Sequence, residues 1–247
     1  ALLDNTGPWL LAALLYLGSG LGLWLTRRLR ALPRVILSRN DWAWLAGTIV
    51  SGGVFGPVLL MTGLAAMPAS GAALLLNAEA VFTSLLAWFV FRENFDARIA
   101  LGMLAIVAGA IVLAWPADPA LEFASVWPAL AVLAACFAWA VDNNLTRKVA
   151  YADASWIAMI KGLAAGATNL ALAFFLGAQW PGAAALMGAA LIGFLSYGAS
   201  LVLFVIALRH LGSARTGAYF SVARFFGAAA ALAVLGEPMT MPLFAGA

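Results

Sequence analysis

Eight polar side chains lie inside otherwise apolar runs of this 247-residue sequence: Asn77, Glu79, Asp142, Asn143, Asn144, Lys161, Asn169 and Arg224. Ionisable and amide groups are costly within hydrocarbon, so they turn to a protein interior or a water-filled cavity and mark solute or proton pathways. Glu79 stands about nine residues into its run, or ~13 Å at 1.5 Å per residue, close to a bilayer centre. A carboxylate there can hold a solute, carry a proton, or sit neutral against a neighbouring helix's backbone. Arg224 lies about eleven residues into a run that enters from the opposite side, at a similar depth by the same rise. It is placed either to pair with Glu79 or to snorkel outward. Asp142 and Lys161 flank the Arg147-Lys148 turn at matching depths. They form an ion pair that either fixes the hairpin or couples an ion to transport. Asn143 and Asn144 are adjacent and face different directions, one towards a cavity and one towards a helix neighbour.

Aromatic residues in mid-run (Phe82, Trp88, Trp139, Tyr197, Tyr219 and Phe220) are suited to lining a cavity for a flat organic solute. The candidate substrate contacts are therefore Glu79, Asn77, Trp139, Asn143, Tyr197, Tyr219 and Arg224. Enzyme chemistry has little to build on. His210 is the only histidine and Cys136 the only cysteine, so metal sites, disulfides and histidine-dependent triads lack their parts. No glycine-rich phosphate loop, zincin motif or extramembrane cofactor domain is legible. The expectation is a protein without catalysis, metal or cofactor.

The elements that must position these residues are membrane helices. Hydrophobic residues make up 65% of the chain and charged residues 9%, and mean hydropathy is +1.02. No water-soluble domain buries that much apolar surface. Apolar segments fall at about 8–26, 42–64, 70–91, 97–115, 127–147, 154–176, 184–208 and 213–235, with a ninth opening at Met241. Each complete one has roughly the 20 residues a hydrocarbon core requires. Trp9, Trp42, Trp115, Trp127 and Trp180 sit at segment ends, as interfacial belts do. Gly18, Gly20 and Gly22, and the pair Gly52 and Gly56, form small faces for close helix approach. Pro57 stands in mid-helix and removes a backbone bond there.

Charge sets the orientation. Arg27, Arg28, Arg30, Arg34, Arg39, Arg92, Arg98, Arg147, Lys148, Arg209 and Arg215 all fall in connections of one parity. The other connections carry only Asp118, Glu122 and Glu237. The positive-inside rule places the basic set in the cytoplasm, and the basic pI of about 9.4 is accounted for by topology rather than by nucleic acid. The partners expected are the lipid bilayer and a small solute. Nothing in the sequence fixes an oligomeric state, and a monomer suffices.

The stretch 64–93 returns as 208–237, an offset of 144 residues without a gap. Both have a small-residue turn, a membrane-length apolar run and a closing glutamate, Glu93 or Glu237. The offset also relates 8–26 to 154–176 and 42–64 to 184–208. The expectation is two inverted five-helix repeats, 1–117 and 118–247, in a ten-helix protein whose first helix and most of the last are missing from this chain. Inverted repeats place a transporter's site near midplane at their interface.

The run Asn77-Ala78-Glu79-Ala80-Val81-Phe82-Thr83-Ser84-Leu85-Leu86-Ala87-Trp88, closing on Arg92-Glu93, resembles the EamA-type module of the drug/metabolite transporter superfamily. So do Tyr16-Leu17-Gly18-Ser19-Gly20 and Gly236-Glu237-Pro238. The resemblance implies two inverted five-helix modules, a central cavity opening to alternate sides, and transport of amino acids, other metabolites or drugs, often outward. Family modules commonly carry proline after the glutamate of the repeated helix. Here Ala80 takes that place, so the kink the family implies has no proline behind it, and Arg224 adds a charge at the copy.

Together these features predict a multi-pass, inner-membrane secondary transporter of small organic metabolites, exporting by alternating access. The alternatives are a proton-coupled drug exporter with Glu79 as proton carrier, and a membrane scaffold or sensor. A cavity lined by Glu79, Trp139 and Tyr219 favours transport; a solid apolar bundle favours the scaffold.

Overall fold

The computed structural model describes residues 7–66, 72, 75–94, 96–114 and 126–222. All the regular structure among them is helical: α1 Pro8–Leu29, α2 Arg39–Leu64, α3 Ala78–Val90, α4 Ala97–Ala114, α5 Trp127–Val149, α6 Ala154–Phe175, α7 Ala183–Leu211 and α8 Ser213–Ser221. Five of these (α1, α2, α5, α6 and α7) are long and apolar enough to cross a membrane. The protein is a polytopic all-α membrane protein. Arg224, proposed from the sequence as a site residue, lies outside the described residues, as do Asp118, Glu122 and Glu237.

The helix ends follow local chemistry. Ser38 and Asp41 form a reciprocal capping box at the start of α2. The Asp153 side chain accepts from the Trp156 N–H, at 2.8 Å, to open α6. Arg27 and Arg28 fall in the last turn of α1, and Arg147 and Lys148 in that of α5. Positive charge there complements the helix dipole.

Glycines bring the central helices together. A Cβ on Gly162 would stand 2.9 Å from the Gly20 nitrogen and 3.0 Å from the Tyr16 carbonyl, so α1 and α6 meet backbone to backbone. A Cβ on Gly18 would strike the backbone of Ala190, and one on Gly193 that of Leu15, so α1 is also pressed against α7. Without a hydrophobic drive between helices in lipid, such close van der Waals approach is what holds a bundle together.

Three of the described helices deviate from α geometry: α3 ends in a π segment at Leu86–Val90, and two others deviate at corresponding places. α2 widens to π-helix at Ile49–Phe55 and α7 at Gly193–Ala199. Both ends of the second segment lie 144 residues after those of the first, which is the sequence offset. In α2 the Gly56 N–H reaches five residues back, to the Ser51 carbonyl. Pro57, expected to disturb this helix by its missing N–H, follows directly at the start of the resumed α-helix. The segment read as one run at 70–91 is also interrupted. Leu76 and Asn77 form a turn, and α3 starts at Ala78. The helical run is thus interrupted by a turn, and Glu79 occupies the first turn of α3 rather than the middle of a helix.

Candidate functional site

A cavity of about 390 Å³ lies where the middles of α1, α2, α5, α6 and α7 converge with the start of α3 and the end of the described α8. Three side chains come from α5. Trp139, Asp142 and Asn143 are spaced three and four apart and so share one face. Glu79 and Lys161 project from α3 and α6, and Tyr197 from the π segment of α7.

The polar groups are bonded to one another across helices. Lys161 Nζ donates to Asp142 Oδ1 at 2.6 Å and to Thr146 Oγ1 at 2.9 Å, and the Thr146 hydroxyl donates to the same carboxylate oxygen at 2.9 Å. Asp142 and Lys161 are 8% and 9% exposed. A pair so buried offsets its desolvation only with such added bonds. Asn143 Nδ2 donates to Glu79 Oε1 at 3.1 Å and to Thr83 Oγ1 at 3.2 Å, tying α5 to α3. The adjacent Asn144 turns away from the cavity and donates to the Thr83 and Ala140 carbonyls. Glu79, in the first turn of α3, also has the positive end of the helix dipole beside it.

The π segment of α2 forms part of the cavity wall. Widening a helix weakens its carbonyl partnerships, and in a membrane the freed groups need side-chain donors. Trp139 Nε1 donates to the Gly52 carbonyl at 3.1 Å, and Asn169 Nδ2 to the Gly53 carbonyl at 3.2 Å. A Cβ on Gly52 would run into the Asp142 carboxylate, and one on Gly56 into the Trp139 indole. Both glycines therefore make room for site side chains as well as for packing.

Of the sequence candidates, Glu79, Trp139, Asn143, Tyr197, Asp142 and Lys161 line the cavity. Tyr219 does not; it is 62% exposed, and its neighbour Phe220 faces inward instead. Asn77, half-buried, sits in the turn before α3 and outside the lining. Sequence reasoning missed Tyr16 and Phe204 as lining residues. Tyr16 carries a signal, since it opens the glycine-rich stretch of α1, whereas Phe204 is one apolar residue in an apolar run.

On the basic side a second set of contacts joins residues before position 117 to residues after it. Arg27 is buried and forms an ion pair with Asp153, while its other nitrogen donates to the Pro33 carbonyl at 2.9 Å. Glu93 pairs with Arg147 at 3.1 Å and accepts from the Ser213 N–H at 2.9 Å, capping α8. Gly212, at φ 84°, makes the turn beneath it. Asp96 receives both Arg215 donors, the nearer at 2.8 Å. That bond holds the Asp96 carboxyl below its ordinary range. Burial raises the Asp153 carboxyl, but bonds from Ser155 and the Trp156 N–H, with the Arg27 charge, outweigh it and leave the group lowered.

A bundle of membrane-length helices around a polar, aromatic-walled cavity defines a class, the multi-pass membrane proteins. Residues 1–115 match the EamA-like transporter family. An uncharacterized transporter of Methanothermobacter thermautotrophicus is 32% identical over 209 residues, covering 83% of this chain and 61% of that protein. The chain thus spans about three fifths of the length of this curated relative. A protein of known crystal structure, 20% identical, shares the fold with a TM-score of 0.82 over 100% of this chain and 86% of its own.

Proposed function

We propose that the protein is an inner-membrane secondary transporter of small organic solutes, binding them in this cavity and exporting them by alternating access between two inverted repeats. The carrying observation is the cavity itself: helices from both halves enclose a space lined by Glu79, Trp139 and a buried ion pair. Ionisable groups within hydrocarbon by default mark a solute or ion pathway, which favours a transporter over a scaffold. The π segments at Ile49–Phe55 and Gly193–Ala199 support the repeat reading, because a shared irregularity at the same offset is harder to reach by chance than shared apolarity.

In this reading Glu79 is the group that changes partner or protonation state during the cycle, with Asn143 holding its carboxylate in one of the states. Counterflow of labelled metabolites into proteoliposomes containing the full-length protein tests it. Glu79→Gln preserves size and hydrogen bonding but fixes a neutral side chain, and is expected to abolish or uncouple transport without loss of folding. Wild-type rates with an unchanged pH profile in Glu79→Gln would make Glu79 a structural residue.

A further inference from the structure

The Asp142–Lys161 pair has hydrogen-bonding capacity left over. An ammonium has three N–H donors. Lys161 gives one to Asp142 Oδ1 and one to Thr146 Oγ1. Among the described residues, its third N–H and Asp142 Oδ2 have no partner, although both side chains are about nine-tenths buried and both line the cavity. Asp142 Oδ2 stands at the wall where Gly52 leaves out a Cβ. The pair thus has one donor and one acceptor left over, on charges that cancel each other.

That balance selects the ligand. An anionic group must either break the pair or remain uncompensated beside it, and a cationic one is drawn to Glu79 rather than to the pair, so the pair holds neither. A neutral group with an acceptor next to a donor satisfies both ends and leaves the pair intact. The rest of the wall is aromatic: Tyr16 and Tyr197 meet edge to face with centroids 5.3 Å apart, Phe204 and Phe220 at 5.0 Å, and Trp139 completes the set. Such walls favour a flat π face. We propose that Asp142 and Lys161 form the head-group site for a neutral, planar heteroaromatic solute whose edge carries adjacent acceptor and donor, as a lactam or amidine edge of a nucleobase does. The volume of about 390 Å³ suits one such ring system. This inference rests on the cavity being the solute site.

Equilibrium dialysis of the full-length protein in detergent against labelled adenine and uracil tests it, with benzoate, benzyltrimethylammonium and phenylalanine as charged or zwitterionic comparators. The expected result is saturable binding of at least one heteroaromatic that the comparators do not displace. Asp142→Asn/Lys161→Met, whose folding is checked by melting, is expected to weaken it tenfold or more. Tyr197→Ala, which truncates an aromatic wall and leaves the pair, is expected to weaken it several-fold. Binding of a comparator in preference, absence of binding by both heteroaromatics, or unchanged heteroaromatic affinity in the double variant overturns the proposal. Counterflow run on the same panel separates the two readings. Transport of benzoate or phenylalanine alone sinks this inference and leaves the transporter. Heteroaromatic binding with no counterflow of any solute supports the head-group site and removes the transporter.

Discussion

Neutralising one member of the Asp142–Lys161 pair should destabilise the protein far more than neutralising both. The two groups are 2.6 Å apart and almost fully buried, with Thr146 bonded to each. Lys161→Met strands a carboxylate and Asp142→Asn strands an ammonium, and removing one partner of a buried pair costs about 3–5 kcal/mol. Thr146 remains as a partial hydrogen-bond partner in each case, so each single variant should lose about 3 kcal/mol. The double variant leaves two neutral side chains of similar volume and should lose about 1 kcal/mol. The coupling is then about 5 kcal/mol, ten times the scatter of independent sites. Reversible unfolding of the full-length protein in mixed SDS–detergent micelles, followed by tryptophan fluorescence, measures all four corners of the cycle. Additive losses within about 0.5 kcal/mol would refute a directly interacting pair.

Gly162→Leu should cost about 1–3 kcal/mol or prevent folding, because its Cβ meets the α1 backbone at 2.9 Å and cannot be relieved by a rotamer change; melting in detergent against Gly102→Ala, where a Cβ meets nothing within 4 Å among the described residues, checks this. The Asp153 and Asp96 carboxyls are held below their ordinary value, so the stability they contribute is full above the unfolded-state pKa of about 4 and is lost as pH falls through the lower folded values. Melting between pH 7 and pH 3 should show loosening at the acid end, and Asp153→Asn should reduce that acid dependence. Arg34→Cys should resist an impermeant thiol reagent in intact cells while Gln179→Cys reacts; the reverse pattern inverts the topology.

Several features were fixed by the residues alone. A chain with 65% hydrophobic and 9% charged residues must put its helices in lipid, and segment limits such as 127–147 and 154–176 lie within a turn of Trp127–Val149 and Ala154–Phe175. Among the buried polar groups Asp142, Asn143, Asn144, Lys161 and Asn169 were legible, because ionisable and amide residues stand out in an apolar run, whereas the hydroxyls of Thr83 and Thr146 did not. The pairing of Asp142 with Lys161 followed from depth, since a hairpin of two straight helices leaves little freedom. Tertiary structure decided what each group faces. Adjacent residues on a helix diverge by about 100°, so only packing separates Tyr219 from Phe220, or the cavity-facing Asn143 from Asn144. The turn at Leu76–Asn77, which moves Glu79 from mid-helix to a helix start, has no proline or glycine to announce it. The π segment of α2 likewise depends on donors 87 and 116 residues away, Trp139 for Gly52 and Asn169 for Gly53, and no local pattern contains those bonds.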